Sequence, residues 1–134
     1  MKSIYLALSL FLALFISSCS SDSSSGNNPF VPGGGTGTTV TFTTTYDANN
    51  TQFVFAPNTG VTISKITANC AAANINNEEI TGDGTTVWTQ AAPAAVSTQG
   101  VNVAAGQQWT FKIEGKVGSA TGEVYTSNTS ITVQ

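Results

Sequence analysis

The alternation of apolar and polar side chains in the last third of the chain constrains the fold more than any other feature. From Trp109 to Val117 the odd positions carry apolar residues or glycine, and the even positions carry threonine, lysine and glutamate. A period of two places one set of side chains on each face of a strand, so this segment is predicted to be a half-buried antiparallel strand. The same alternation from Val40 to Tyr46 predicts a second strand of this kind.

Shorter strand signals fill the chain between these two segments. Residues 52–56, 61–68, 85–90 and 123–133 are rich in β-branched and aromatic residues, and turn residues separate them. The apolar positions of residues 61–68 change phase, which predicts a bulge near Ser64 or Lys65. Residues 71–80 are expected to be irregular, with a short strand at Ile75 and Ile80 as the alternative, and residues 91–100 form a loop or a weak edge strand. The sequence therefore predicts an all-β fold, an antiparallel sandwich of about seven strands.

The run VNVAAGQQWTFKI, from Val101 to Ile113, carries a more specific pattern. It combines a hydrophobic strand, a corner at Gly106, the aromatic Trp109 and alternating apolar residues, followed by a glycine-containing loop and a Thr-rich last strand. This pattern resembles the end of an immunoglobulin-like or fibronectin type III domain, and the resemblance implies an immunoglobulin-like sandwich over residues 39–134. Trp109 occupies a corner position where tyrosine is common, and the Cys-Trp-Cys framework of true immunoglobulin domains is absent.

The amino-terminal residues follow a different pattern. Met1 and Lys2 precede the apolar run from Ile4 to Ile16, which has the length of a signal-peptide core and is short for a membrane span. The sequence Ile16-Ser17-Ser18-Cys19 that follows resembles the lipobox of bacterial lipoproteins. The resemblance implies that residues 1–18 are a signal peptide, and that acyl chains on Cys19 hold the protein to membrane lipid. Ser20 follows the cysteine, and by analogy with Gram-negative sorting this residue favours the outer membrane. The expected location is therefore the cell envelope, with the protein held there by its lipid anchor.

Residues 19–38 comprise Cys19 and a segment rich in serine and glycine. A segment of this composition buries too little apolar surface to fold, so we expect a flexible tether with a reach on the order of 25 Å. The expected organisation is a signal peptide over residues 1–18, the lipidated cysteine and tether over 19–38, and the sandwich over 39–134.

Charge and composition exclude several classes of function. Charged residues make up 8% of the chain, acids outnumber bases, and arginine and histidine are absent. Such a chain has little to neutralise phosphates, so nucleic acid is not an expected partner. A Ser-His-Asp triad is impossible without histidine, and Cys70 alone does not make a zinc site, so no metal or other cofactor is expected. With Cys19 lipidated, Cys70 is left unpaired and is expected to be a small buried hydrophobic residue.

Three carboxylates remain as candidates for chemistry. Glu78, Glu79 and Asp83 lie close together in sequence, next to Asn76 and Asn77, and could form an acid/base pair or a calcium site. Calcium loops carry several acids at alternating positions around a central glycine, and this stretch does not. A solvated turn is therefore the favoured interpretation, and the chain is not expected to be an enzyme.

The aromatic residues offer a second candidate site. Trp109 is in phase with the core, whereas Trp88 and Tyr125 are candidates for an exposed carbohydrate-binding face. Two functions follow from these observations. The preferred one is a membrane-anchored lipoprotein whose non-catalytic sandwich is a structural or interaction module. The alternative is a carbohydrate-binding accessory lipoprotein of the cell envelope, with a polysaccharide instead of a protein as its partner.

Overall fold

A computed structural model of the chain describes residues 37–134, which fold into two antiparallel sheets packed face to face. The predicted all-β sandwich is confirmed. Eight strands make up this part of the chain: β1 Phe42–Asp47, β2 Gln52–Pro57, β3 Val61–Cys70, β4 Ile75–Thr81, β5 Val87–Trp88, β6 Ala94–Ser97, β7 Gln108–Val117 and β8 Val124–Thr132. A single 3₁₀ turn, Ala71–Ala73, joins β3 to β4. The predicted signal peptide, Cys19 and nearly all of the predicted tether lie outside the described residues.

The order of the strands agrees with the predicted immunoglobulin-like arrangement. One sheet has the order β1-β2-β6, and the other has the order β4-β3-β7-β8, with β5 pairing to the same edge of β3 as β4. In immunoglobulin lettering these are strands A-B-E and C′-C-F-G. Among residues 37–134 the three-stranded sheet therefore ends at β6, with no strand in the D position.

The core lies between the two sheets, and strands β2 and β7 supply its largest side chains. Phe53 and Phe55 of β2 are buried, as are Trp109, Phe111 and Ile113 of β7. These residues are two positions apart on each strand, as side chains on one face of a sheet must be. The alternation in the sequence thus correctly identified the inner face of β7.

Two bulges interrupt the long strand β3. The first lies between Ile63 and Lys65 in the pairing with β7, which confirms the bulge predicted near Ser64. The second lies between Ala68 and Cys70 in the pairing with β4 and was not predicted. There Asn77 has a φ of 52° and donates its N–H to Asn69 Oδ1 at 2.7 Å. Asparagine tolerates this left-handed conformation better than most residues, so the bulge has a local cause.

The edge strands β1 and β8 close one side of the sandwich, which we call the closed seam. The rings of Phe42 and Tyr125 lie 6.1 Å apart across it. The hydroxyls of Thr44 and Thr129 share a hydrogen bond of 2.9 Å, and the Thr129 hydroxyl also lies 3.4 Å from the carbonyl oxygen of Phe42. Threonine, which favours strands, here also joins the two sheets.

Tyr125 reaches past its neighbouring strand because its partner residue on that strand is a glycine. Tyr125 pairs directly with Gly115 on β7, and its hydroxyl donates to the carbonyl oxygen of Thr62 on β3 at 3.1 Å. A Cβ on Gly115 would collide with that same carbonyl. The glycine therefore lets a buried tyrosine satisfy its hydroxyl and tie β8 to β3.

The chain enters the sandwich through a hydrogen-bonded clamp on Asn58. The Asn58 side chain donates to the carbonyl oxygen of Thr39 and accepts from the N–H of Thr41, each at 3.0 Å. Val40 between them is buried. The entry point lies at the start of β1, on the edge of the sheet opposite β6.

Candidate functional site

The other side of the sandwich, between the edge strands β4 and β6, contains a cleft. We call this side the open seam. The cleft has a volume of about 250 Å³ and lies over the half of the core nearest to Trp109. A narrower extension of about 30 Å³ continues the seam toward Trp88. Ile80, Thr81 and Val96 line both parts, so they form one continuous surface.

Three aromatic rings form the floor of the cleft. The ring of Phe53 lies 5.0 Å from that of Trp109 and 5.0 Å from that of Phe111, and the Trp109 and Phe111 rings are nearly parallel at 6.2 Å. Aromatic pairs favour tilted and offset arrangements of this kind. The floor is therefore a rigid apolar surface, suited to apolar side chains of a ligand.

Trp109 is held in place by a hydrogen-bonded glutamine. Its indole N–H donates to Gln107 Oε1 at 3.2 Å, and the same oxygen accepts from the N–H of Ala104. The Gln107 amide nitrogen donates to the carbonyl oxygen of Asn102. A tryptophan–glutamine pair thus fixes the corner where related patterns carry a tyrosine. The expectation that Trp109 is a core residue is confirmed, because its exposed fraction is 3%.

The rim of the cleft is polar on both sides. On one side the rim is formed by Ser97, the last residue of β6, and by Thr98 just after it. The Thr98 hydroxyl donates to the carbonyl oxygen of Thr51 at 2.9 Å. On β4 the rim includes Glu78, which pairs directly with the buried Ala68 and so lies on the inner face of the sheet. Charged residues that point inward on an edge strand are unusual and often serve to block unwanted pairing.

Glu79 has a different environment from its neighbour. It lies on the outer face, where Lys65 Nζ donates to Glu79 Oε1 at 3.1 Å. Lys65 also lies 3.3 Å from Glu114, which pairs with Lys112 at 3.2 Å. The hydrogen bond that Lys65 donates to Glu79 raises the pKa of Lys65, and the hydrogen bond from Lys112 lowers the pKa of Glu114. In residues 37–134 Glu78 has no such ion pair.

The candidate aromatic residues are separated by the structure. Trp88 is partly buried and lines the narrow part of the open seam, next to Ala94. Tyr125 is buried, with an exposed fraction of 9%, and belongs to the closed seam. The expectation that Tyr125 offers an exposed ring for sugar stacking is therefore wrong, because its ring and hydroxyl are used inside the fold. Trp88 and Tyr125 are on strands separated by β3 and β7 and form no common platform.

The three candidate carboxylates also point to different places. Glu78 faces the cleft, Glu79 pairs with Lys65, and Asp83 caps the turn after β4. The Asp83 carboxylate accepts hydrogen bonds from the hydroxyl and N–H of Thr86 and from the N–H of Thr85, which lower the pKa of Asp83. Within residues 37–134, no cluster of three metal-ligating side chains could hold an ion. The cysteine of this region, Cys70, is buried as expected, with an exposed fraction of 2%, and it forms no disulfide with a described residue.

The feature that sequence reasoning missed is the exposed edge of β6. Thr98 donates its N–H to the carbonyl oxygen of Thr51 at 2.8 Å, so Ala94, Val96 and Thr98 turn their backbone groups toward β2. In an antiparallel pair the intervening residues point away, and Ala95 and Ser97 therefore present their N–H and C=O groups to the open seam. The alternation of buried residues at 94, 96 and 98 was present in the sequence, but its alanines carry little hydrophobic signal.

Comparisons with family models, curated proteins and solved structures found no match to this chain. Over residues 37–134 the structure has no helix with the length and apolar character needed to cross a membrane.

Proposed function

We propose that this protein is a bacterial envelope lipoprotein, anchored through acylated Cys19, whose sandwich domain is a non-catalytic module that binds a partner. The observation that carries the anchor is the sequence Ile16-Ser17-Ser18-Cys19 at the end of the apolar run. A thioether-linked lipid together with an amine-linked acyl chain gives stable anchoring, which one chain does not. The outer membrane is the proposed location.

The geometry of the described domain supports the binding part of the proposal. The chain enters at the Asn58 clamp beside β1, and the open seam lies along the far edge of the same sheet, beyond β2 and β6. The described chain therefore begins on the side of this sheet away from the seam. The cleft combines an apolar floor with a few polar rim groups, which is the usual character of a binding site.

The anchor is tested by mass spectrometry and detergent phase partition of the protein from its native host. We expect the mature protein to begin at Cys19, to carry diacylglyceryl and acyl groups, and to enter the detergent phase. The Cys19→Ser variant should remain unprocessed and lose these groups, whereas the matched Cys70→Ser variant should keep them. Recovery of wild-type protein with a free thiol at Cys19 would contradict the proposal.

A carbohydrate-binding role is the second candidate, because Trp88 is partly exposed within the open seam. A sugar could stack on the single ring of Trp88, but no second aromatic ring lies in line with it among the described residues, so the expected binding is weak. Envelope polysaccharide should then quench tryptophan fluorescence, and Trp88→Ala should abolish the quenching. An unchanged emission spectrum across the titration would remove this candidate.

A further inference from the structure

We propose that the open seam binds an extended polypeptide segment of a partner, which adds antiparallel to β6 as a fourth strand of the three-stranded sheet. This inference rests on the proposed partner-binding function and names its site and its ligand class. Strand addition to a sheet edge is a general mode of peptide recognition, in which backbone hydrogen bonds supply affinity and pockets for alternate side chains supply specificity.

The first argument is the set of free backbone groups on β6. Ala95 and Ser97 turn their N–H and C=O groups away from β2, and among the described residues no backbone hydrogen bond joins β6 to β4. These groups repeat at the spacing of a strand and lie in one plane with an existing sheet. An added strand would pair with them in the D position, next to the cleft.

The second argument is that β6 is the receptive edge and β4 is not. The edge of β4 carries two features that discourage pairing, namely the bulge at Asn77 and the inward charge of Glu78. β6 is uncharged, and no bulge interrupts the exposed N–H and C=O groups of Ala95 and Ser97; Pro93, which lacks an N–H and has the same parity, ends this exposed ladder just before the strand. The two sides of the open seam therefore differ: β6 has backbone groups free to pair with an added strand, and β4 carries a negative charge and a bulge.

The third argument is the match between the cleft and the side chains of an added strand. Residues of the ligand that share the face of Ala94 and Val96 point between the sheets, over the rings of Phe53 and Trp109. That floor is apolar but already buried in the free protein, and the cleft above it has a volume of about 250 Å³, so small aliphatic side chains of the ligand bury mainly their own apolar surface there.

Charge identifies the remaining chemistry of the ligand. Glu78 stands at the rim without an ion pair in the described region, since Lys65 and Lys112 are engaged on the outer face and Lys116 Nζ donates to the carbonyl oxygen of Ala120. A lysine among the inward residues of the ligand would lay its aliphatic stem along the cleft and place its ammonium beside Glu78. The partner segment is therefore extended, apolar at alternate positions and basic.

The test titrates the full-length lipoprotein, in zwitterionic detergent micelles, with a synthetic peptide. The probe is acetyl-Thr-Val-Thr-Lys-Thr-Val-Thr-amide, whose valines and lysine share one face. Both tryptophans of the chain line the open seam, so tryptophan emission reports binding directly. We expect saturable binding, and at least a tenfold loss when the third and fifth residues of the peptide, which face Ala95 and Ser97, are N-methylated.

Two pairs of variants locate the site. Ser97→Pro removes an N–H that faces the seam and should weaken binding at least tenfold, whereas Ser130→Pro removes an N–H on the free edge of β8 and should leave binding unchanged. Glu78→Gln should weaken binding about threefold and reduce its salt dependence, whereas Glu123→Gln, an exposed position outside the cleft, should not.

Several results would overturn the inference. These are undiminished binding of the N-methylated peptide, equal binding by the Ser97→Pro and Ser130→Pro proteins, or binding that persists after replacement of the lysine and both valines of the probe by serine. The N-methylated peptide keeps the test decisive even if a proline variant fails to fold. If the protein is acylated but does not bind the probe, only the peptide-binding inference is contradicted. If the protein binds the probe but is not acylated, only the proposed lipid anchor is contradicted.

Discussion

The two seams of the sandwich are built from the same kinds of strands, yet one is closed and the other is open. At the closed seam, side chains cross from sheet to sheet: Tyr125 contacts Phe42, and Thr129 bonds to Thr44. At the open seam, β4 carries Glu78 inward and β6 turns only Ala94 and Val96 toward the core, so the described side chains leave a cleft between the two strands. The difference shows that a sandwich edge is sealed by the size and polarity of a few inward residues.

The largest expected effect compares two phenylalanines of β2. Phe55 is sealed within the core, with its ring 4.9 Å from that of Phe111, whereas Phe53 lines the cleft. Phe55→Ala should lower the free energy of unfolding by about 4 kcal/mol, and Phe53→Ala by roughly 3 kcal/mol, because a cavity continuous with the cleft can relax or fill with water. Chemical denaturation of both variants measures this, and a larger loss for Phe53→Ala would break the distinction between the seams.

The next effect probes the closed seam at Gly115. Gly115→Ala places a Cβ against the carbonyl oxygen of Thr62 and should lower the free energy of unfolding by roughly 2 to 3 kcal/mol. Gly60→Ala is the matched control, since its Cβ would make ordinary contact with Val87 and should change stability by less than about 0.5 kcal/mol. Thermal unfolding of the two variants measures the difference, and equal midpoints would show that Tyr125 does not depend on the glycine.

Removing the Tyr125 hydroxyl should have a smaller effect that depends on pH. Tyr125→Phe leaves the carbonyl oxygen of Thr62 without this donor and should cost about 1 kcal/mol near neutral pH. Burial raises the pKa of the Tyr125 hydroxyl, so its contribution is complete below the ordinary tyrosine pKa of about 10 and is lost as pH rises further, when the unfolded state ionises first. Denaturation at pH 8 and pH 11 should show a smaller alkaline loss for the variant; an equal loss would contradict this account.

The smallest effect lies at the turn that ends the open seam. Hydrogen bonds from Thr86 and Thr85 lower the pKa of Asp83, so this carboxylate stabilises the fold above the ordinary aspartate pKa and ceases to do so as pH falls through its lowered value. Asp83→Asn should therefore reduce the acid sensitivity of unfolding, and Thr86→Val should do so in part. Urea denaturation between pH 2 and pH 6 measures the slope, and an unchanged slope in Asp83→Asn would assign the acid sensitivity elsewhere.

Sequence reasoning succeeded where one face of a strand is buried and failed where both faces are wet or the side chains are small. The inner face of β7 was predicted because Trp109 and Phe111 differ sharply from the polar residues between them. β4 was predicted to be irregular because, on this edge strand, the bulge at Asn77 breaks the period of two.

The candidate site was predictable only in part. Trp88 was identified, but Tyr125 was misplaced although it shares the odd positions of Ile131 and Val133, which a stricter count of alternation would have placed inward. Glu78 was considered for catalysis with its neighbours, whereas the structure turns it to the opposite face of β4 from Glu79. The bulge at Asn77 sets which face of β4 each later side chain occupies, and composition does not predict a bulge. The inward position of Glu78 could therefore be seen only in the structure.

The Asn58 clamp has a mechanical consequence. For a domain tethered ahead of Thr39, any pull from the membrane arrives first at the two hydrogen bonds of Asn58 and then runs lengthwise along β1. Bonds between β1 and β2 lie across that direction, so they share the load and must shear together before the strand slides. A partner bound at β6 would therefore load the sheet parallel to its strands, the direction in which the hydrogen bonds between strands resist together.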